Sequence, residues 1–186
     1  NEAWSAAIDY YQQCAMIRPH DARMWASLGV CYDRLGRNAQ AIECFKRHLT
    51  CPLTHLESVE AIARIIELYE QGGDSVHATM YHCLLVQVVD RSMAQMDPAL
   101  MSRFAFSYII AARWEMGELN GRLYYSKEDK RLGRAAQASM PTGDMVKAHD
   151  YLQKVLLAGT EMTPVAEELL IKLGGRKERG YDDNTT

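Results

Sequence analysis

The first residues whose types and spacing could support chemistry are two cysteines and a histidine. Cys44, His48 and Cys51 are four and then three residues apart, so a helix would present them on one side. Thiolates and imidazoles bind zinc, but a structural zinc site needs about four ligands, and no second pair follows at a recognisable interval. We therefore interpret these residues, and the His82–Cys83 pair after them, as packing positions. We expect no bound metal.

A row of carboxylates is the second such feature. Glu60, Glu67 and Glu70 recur at helical spacing on the side of a helix opposite an apolar stripe. Carboxylates exposed in this way can accept hydrogen bonds from arginine or lysine side chains of a partner. The alternative is a solvated face on which Glu60 simply pairs with Arg64. The apolar stripe consists of Val59, Ile62, Ile65, Ile66 and Tyr69.

Motifs for catalysis are missing from the sequence. It contains no glycine-rich phosphate loop, no Gly-x-Ser-x-Gly elbow and no His-Glu-x-x-His helix. We therefore expect a protein that is not an enzyme, with no catalytic residues and no cofactor.

Composition narrows the class of partner. The 186 residues are 48% hydrophobic and 24% charged, which is typical of a globular domain. A net charge of −3 without a basic block argues against nucleic acid, and no apolar run approaches the roughly 18 residues that span a membrane. Five cysteines without a regular rhythm predict reduced thiols, as in the cytosol or nucleus. The missing initial Met predicts a piece of a longer protein.

The helices that must position these side chains follow a repeated pattern. Glycine inside a helix costs roughly 1 kcal/mol relative to alanine, so Gly29 predicts a very close approach of a second helix. Looser copies of the pattern follow at Ile62 to Ala78 and at Met101 to Leu152. A helix pair repeating at about 34 residues is the signature of the tetratricopeptide repeat. The first copy consists of Trp25, Leu28, Gly29 and Tyr32, then Ala41 and Phe45.

These copies predict an all-α fold, a right-handed α-solenoid of stacked antiparallel helix pairs over residues 1–173. The alternative is an unrelated helical bundle. The predicted segments are the second helix of a truncated repeat (1–19), repeats at 22–52, 56–90 and 98–160, an insert at 118–145 within the last of these, a capping helix at 163–173 with Thr163 as its N-cap and Gly174 just past its end, and a disordered tail at 174–186.

In such a solenoid, the exposed side of each repeat's first helix lines a concave groove. We predict a groove with an acidic centre beside an apolar patch, suited to a peptide that carries arginine or lysine next to aliphatic or aromatic residues. The alternative is that the insert covers the apolar patch. We also expect Ile109 on the exposed apolar side of its helix, with Phe106 and Ile110. The predicted groove residues are Val30, Asp33, Glu60, Glu67, Glu70, Phe106 and Ile110.

The sequence also resembles a known family. RPHDARMWASLGVCYDRLGRNAQAIECFKRHL, followed by ELYEQ, SRFAFSY and EELLIKL, is similar to the C-terminal repeats of subunit 8 of the anaphase-promoting complex, the Cdc23 family. RPHDARM is its most characteristic piece and resembles the family's RPNDSRM turn. The similarity covers residues 1–117 and about 146–173, whereas the insert has no counterpart.

The resemblance implies a non-catalytic scaffold in a multisubunit ubiquitin ligase of the cell cycle, present in the nucleus and cytoplasm. Its partners would be other subunits, a coactivator with an arginine-containing C-box motif, and a second copy bound through N-terminal repeats absent here. Asp33, Glu60, Glu67 and Glu70 would bind the basic side chains of the motif. Val30, Phe106 and Ile110 would bind its apolar ones.

Two other functions stay open at this point. One is a general adaptor that binds a C-terminal carboxylate, which the acidic residues on the groove face disfavour because they would repel it. The other is a structural solenoid segment that contacts neighbouring subunits and binds no short motif.

Overall fold

The computed structural model describes residues 2–92, 98–119 and 143–179, and within these ranges every regular element is an α-helix. The predicted all-α class is therefore confirmed. Most of the predicted insert, residues 120–142, and residues 180–186 of the predicted tail lie outside the described residues. The helices are α1 (Glu2–Ile17), α2 (Ala22–Arg34), α3 (Asn38–Leu49), α4 (His55–Gln71), α5 (Ser75–Ser92), α6 (Pro98–Glu115), α7 (Met145–Ala158) and α8 (Thr163–Arg179).

Side-chain caps fix where three of the helices begin. Asp21 accepts a hydrogen bond from the Arg23 backbone N–H at 3.1 Å, which starts α2. Asp144 accepts from the second and third N–H groups of α7 in the same way. Thr54 and Glu57 form a reciprocal capping box at α4. Each cap satisfies N–H groups that the first turn of a helix leaves without partners.

The chain divides into two compact units, with the boundary inside α5 between Tyr81 and His82. In the first unit α1 packs against α2, α2 against α3, and α3 against α4. A short turn joins α2 to α3, and Gly36 in this turn has a φ of 70°. Because the turn is short, α2 and α3 run antiparallel, as the repeat pattern predicts.

The close helix approach predicted at Gly29 is present. A Cβ atom added to Gly29 would lie 3.0 Å from two atoms of the Phe45 ring, which is closer than such contacts normally come. Ala41, one turn before Phe45, is completely buried. Glycine therefore allows the Phe45 ring of α3 to lie directly on the α2 backbone.

In the second unit α6 packs against α7, the helix that the sequence pairs with it, and α8 packs against both. The small residues Ala105 and Ala148 are buried, as the repeat pattern predicts. The largest fully buried side chains of this unit are Leu85, Val86, Tyr108, Leu152, Val155 and Leu173.

Helix α8 begins at Thr163, but the roles expected of Gly174 at its end and of the Thr163 side chain as its N-cap are wrong. Gly174 does not adopt a positive φ, so it does not end α8, which continues to Arg179. At the other end, the buried Thr163 hydroxyl has no hydrogen-bond partner among the described residues. Thr160 instead accepts a hydrogen bond from the Met162 backbone N–H at 3.2 Å just before the helix.

Candidate peptide-binding face

Two helices of the first unit position five of the predicted groove residues. Val30 and Asp33 lie on α2, and the three glutamates lie on α4, where Glu60, Glu67 and Glu70 are all exposed. The opposite side of α4 is buried at Val59, Ile62, Ile65 and Ile66, whereas Tyr69 is only half-buried. We call the exposed surface formed by Val30, Asp33, Glu60, Arg64, Glu67 and Glu70 the acidic face.

Arg64 holds two of these carboxylates together. Its Nη2 and Nε atoms lie 2.6 Å and 3.0 Å from Oδ2 of Asp33, on the other helix. Its Nη1 atom donates to Oε2 of Glu67, one turn further along α4. The guanidinium therefore bridges α2 and α4 and joins two predicted site residues that are far apart in sequence.

The environment of Arg64 stabilises its charge. Partial burial disfavours the charged form, but the hydrogen bonds with Asp33 and Glu67 outweigh it and raise the pKa of Arg64 above its ordinary value. The Asp33 side chain is 16% exposed and that of Arg64 34%, so the pair lies at the edge of solvent. The Coulomb energy of such a pair is larger than that of a fully exposed one.

The two carboxylates keep oxygen atoms for a further donor. Arg64 uses only Oδ2 of Asp33 and Oε2 of Glu67, so within the described residues Oδ1 and Oε1 have no hydrogen-bond partner. The hydrogen bonds of Arg64 go to these two residues rather than to Glu60, the alternative that the spacing left open. A cation that reaches this face meets one positive and at least two negative charges.

The apolar groove residues divide between the two units. Val30, 41% exposed, is three residues from Asp33 on α2 and belongs to the acidic face of the first unit. Phe106 belongs to the second unit, where it is 48% exposed and its ring meets the edge of His82 with centroids 5.4 Å apart. Ile110 is half-buried. The expectation that Ile109 faces solvent is wrong, because its side chain is only 3% exposed and belongs to the core of the second unit.

The cysteine and histidine set is part of the core. Cys44, His48 and Cys51 are all buried. His48 places its Nδ1 atom 2.9 Å from the Ala22 carbonyl oxygen, and burial raises the pKa of Cys44 to about 11. Within residues 2–92, 98–119 and 143–179, no three His, Cys, Asp or Glu side chains are grouped so that they could hold a metal ion.

The sequence analysis missed a groove of about 690 Å³ between α1, α2 and α3. Two of its polar side chains already have partners: Trp25 donates to the Pro19 carbonyl at 2.8 Å, and Gln12 donates to the Tyr32 hydroxyl at 2.7 Å. No sequence signal marks this groove, because its size depends on the gap between two helices that are not neighbours in the chain. The apolar part of its lining is Ala15, Met16, Pro19, Trp25, Leu28, Tyr32, Ala39 and Cys44.

Comparison with known families agrees with this geometry. Residues 22–50, which form α2 and α3, match the family model of the tetratricopeptide repeat. The chain thus contains a repeat of the class through which many proteins bind other proteins, and such all-helical folds are typically non-catalytic. The match does not distinguish the Cdc23 family from other proteins with this repeat, so that resemblance stays a prediction.

No curated protein matches the chain. Among the helices that the structure describes, none is both long and apolar enough to cross a membrane.

Proposed function

We propose that this chain is a non-catalytic tetratricopeptide scaffold of a multisubunit ubiquitin ligase of the anaphase-promoting type. In this proposal the acidic face binds a short motif of a coactivator that carries arginine beside apolar residues. The chain acts in the nucleus and cytoplasm, where such a ligase controls cell division.

The arrangement of Asp33, Arg64 and Glu67 is the observation that supports the proposal most. These two carboxylates already hold a guanidinium between two helices, so their spacing suits an arginine side chain. Val30 is exposed on the same face and can contact an apolar side chain of the motif. A C-terminal carboxylate, the ligand of other tetratricopeptide adaptors, would be repelled by the same residues.

The first test is a binding titration with a labelled peptide in which arginine stands next to leucine and phenylalanine. The same peptide with arginine replaced by glutamate is the ligand control. We expect the first peptide to bind and the second not to, because charge reversal turns attraction into repulsion.

Charge reversal on the protein locates the contact. Glu67→Lys should weaken binding at least several-fold, since it removes one carboxylate and adds a cation. Glu43→Lys is the matched control, because Glu43 is a similarly exposed glutamate of α3 that does not belong to the acidic face. Equal binding by both variants would contradict the proposal.

A second candidate function is a structural segment that only packs against neighbouring subunits. Met16 and Ile17, which are 85% and 79% exposed at the end of α1, favour it, and Met16 lines the groove between α1 and α3. Met16→Glu should then reduce retention of the chain by the other purified subunits during reconstitution. Failure of both peptides to bind, together with this loss, would support the structural function instead.

A further inference from the structure

We infer that Arg64 is a built-in competitor for the arginine of the partner motif, and that it sets both the affinity and the specificity of the acidic face. This inference rests on the proposed function, because it concerns the site that would bind the motif. It assigns to Arg64 a role that neither the repeat class nor the family resemblance provides.

The geometry places Arg64 where the partner's guanidinium would bind. Bidentate recognition needs two carboxylate oxygens at the spacing of a guanidinium fork. Oδ2 of Asp33 and Oε2 of Glu67 have that spacing, since Arg64 contacts both at once. An incoming arginine must displace these contacts or accept the poorer geometry of the remaining oxygens.

The charge balance leads to the same conclusion. Asp33 and Glu67 carry two negative charges, and Arg64 cancels one of them at hydrogen-bond distance. A partner cation is therefore attracted by about half the charge that the two carboxylates would present alone. Because the Arg64 side chain is 34% exposed and has a flexible stem, it can move into solvent when another cation takes its place.

The same contacts predict selectivity for arginine over lysine. Arg64 makes three hydrogen bonds that reach two helices, two to Asp33 and one to Glu67. A planar guanidinium in its place can repeat all three, whereas an ammonium carries its donors on a single nitrogen and cannot reproduce the fork of three contacts. A motif with lysine should therefore gain less than one with arginine when Arg64 is removed.

The main experiment compares Arg64→Met with the unchanged chain in the peptide titration. Methionine keeps an apolar stem of similar length but has no charge. We expect the arginine peptide to bind Arg64→Met roughly 2-fold to 5-fold more tightly, as the loss of a partly exposed ion pair predicts. The same substitution should raise the affinity for the lysine peptide by a smaller factor.

Arg47→Met is the matched control, because Arg47 is an exposed arginine on α3 that pairs with Glu43 outside the acidic face. The affinity of Arg47→Met for the arginine peptide should equal that of the unchanged chain. Unchanged or weaker binding by Arg64→Met, with helix content preserved by circular dichroism, would overturn the inference.

A second experiment works without any peptide. Arg64→Ala leaves a gap between Asp33 and Glu67, and millimolar methylguanidinium should raise its melting temperature more than methylammonium does. The unchanged chain and Arg47→Ala should show no such difference. If methylguanidinium and methylammonium raised the melting temperature of Arg64→Ala equally, the inference would be overturned, even if this variant melts earlier than the unchanged chain.

The two experiments separate this inference from the proposed function. If no variant binds the peptide, the proposed function fails, and the methylguanidinium test still decides whether the gap left by Arg64 recognises a guanidinium. If the unchanged chain binds the peptide and Arg64→Met gains nothing, only the inference about Arg64 fails.

Discussion

Gly29 shows how a single residue type determines the packing of two helices. Its backbone is covered by the Phe45 ring, so a side chain at this position would force the ring to move. The roughly 1 kcal/mol that glycine costs inside a helix is offset by the burial of Phe45, a large aromatic side chain that is 5% exposed.

The first prediction follows from this contact. Gly29→Val should lower the free energy of unfolding by about 1 to 3 kcal/mol, because its side chain must push the Phe45 ring away. Urea unfolding followed by circular dichroism measures the change. Gly174→Ala is the control, since a Cβ atom there meets nothing within 4 Å, and it should stabilise α8 by about 0.5 to 1 kcal/mol. Equal effects of the two substitutions would contradict the packing argument.

The residue scale also shows how far the sequence could predict the site. Spacing alone predicted that Glu60, Glu67 and Glu70 share one exposed side of a helix, because helical geometry fixes that relation. It did not predict the contact between Arg64 and Asp33, which are 31 positions apart and meet only through helix packing. An ion pair within one helix can be inferred from sequence, whereas one between helices needs the tertiary structure.

At the scale of single elements, α4 begins with a reciprocal cap between Thr54 and Glu57. The Thr54 hydroxyl accepts a hydrogen bond from the Glu57 backbone N–H at 3.3 Å, and the Glu57 carboxylate accepts from the Thr54 N–H at 2.8 Å. The hydrogen bonds from the Thr54 side chain and backbone lower the pKa of Glu57 below its ordinary value. The capping box thereby fixes the start of the helix that carries the acidic face.

The second prediction concerns this cap and its dependence on pH. Thr54→Ala should cost about 1 kcal/mol at pH 7, the usual effect of removing a threonine cap. A lowered pKa in the folded state means that the Glu57 contribution is complete above its ordinary pKa of 4.5 and is lost as the pH falls through the folded value. The difference in free energy of unfolding between the unchanged chain and Thr54→Ala should therefore be smaller at pH 3 than at pH 7.

Urea unfolding at both pH values tests this prediction, with Thr79→Ala as the control. Thr79 lies inside α5 and donates to the Ser75 carbonyl, so its loss removes no cap. A pH-independent effect of Thr54→Ala would show that Glu57 does not contribute through this cap.

Three helices of the second unit are joined by one carboxylate. Asp90 on α5 accepts a hydrogen bond from the Tyr108 hydroxyl on α6 at 2.6 Å and one from Lys154 on α7 at 2.9 Å. Burial, followed by the contact with Asp90, raises the pKa of Tyr108 well above its ordinary range. The raised pKa keeps Tyr108 protonated, and therefore a hydrogen-bond donor, at neutral pH.

The third prediction uses this network. Tyr108→Phe should lower the free energy of unfolding by about 1.5 to 3 kcal/mol, because it removes a hydrogen bond to a charged group. Tyr151→Phe is the matched control, since the Tyr151 ring packs edge-on against Tyr108 but its hydroxyl has no hydrogen-bond partner among the described residues. Thermal unfolding of both variants measures the effect. A larger loss of stability in Tyr151→Phe than in Tyr108→Phe would contradict the role of this network.

The elements also show where helix boundaries can and cannot be predicted. The start of α2 could be anticipated from Asp21, because aspartate is a residue type that often caps helices. The end of α8 could not, because Gly174 was expected to lie just past the end of the helix and instead continues it. Glycine permits a helix end without requiring one, so its position alone does not determine where a helix stops.

At the scale of the whole molecule, charge is the property most relevant to binding. The chain has 24 acidic and 21 basic side chains, a small excess for its size. Attraction for a basic motif must therefore come from local clusters such as the acidic face rather than from the net charge. Local charges near the surface are screened by salt over about 10 Å at 0.1 M ionic strength.

The fourth prediction is that affinity for the arginine peptide falls several-fold when the ionic strength rises from about 0.05 to about 0.5 M. The association rate should account for a large part of this change, and stopped-flow fluorescence can measure it. Affinity independent of salt would indicate that apolar contacts, rather than the carboxylates, account for binding.

The buried cysteines have a consequence for following the motions of this chain. Cys31 and Cys44 belong to the first unit and Cys83 to the second, and burial raises the pKa of Cys44 to about 11 and that of Cys83 to about 12. Shielded and protonated sulfhydryls react with iodoacetamide only while their surroundings are transiently open. Alkylation rates at individual cysteines therefore report how often each unit opens, without any introduced label.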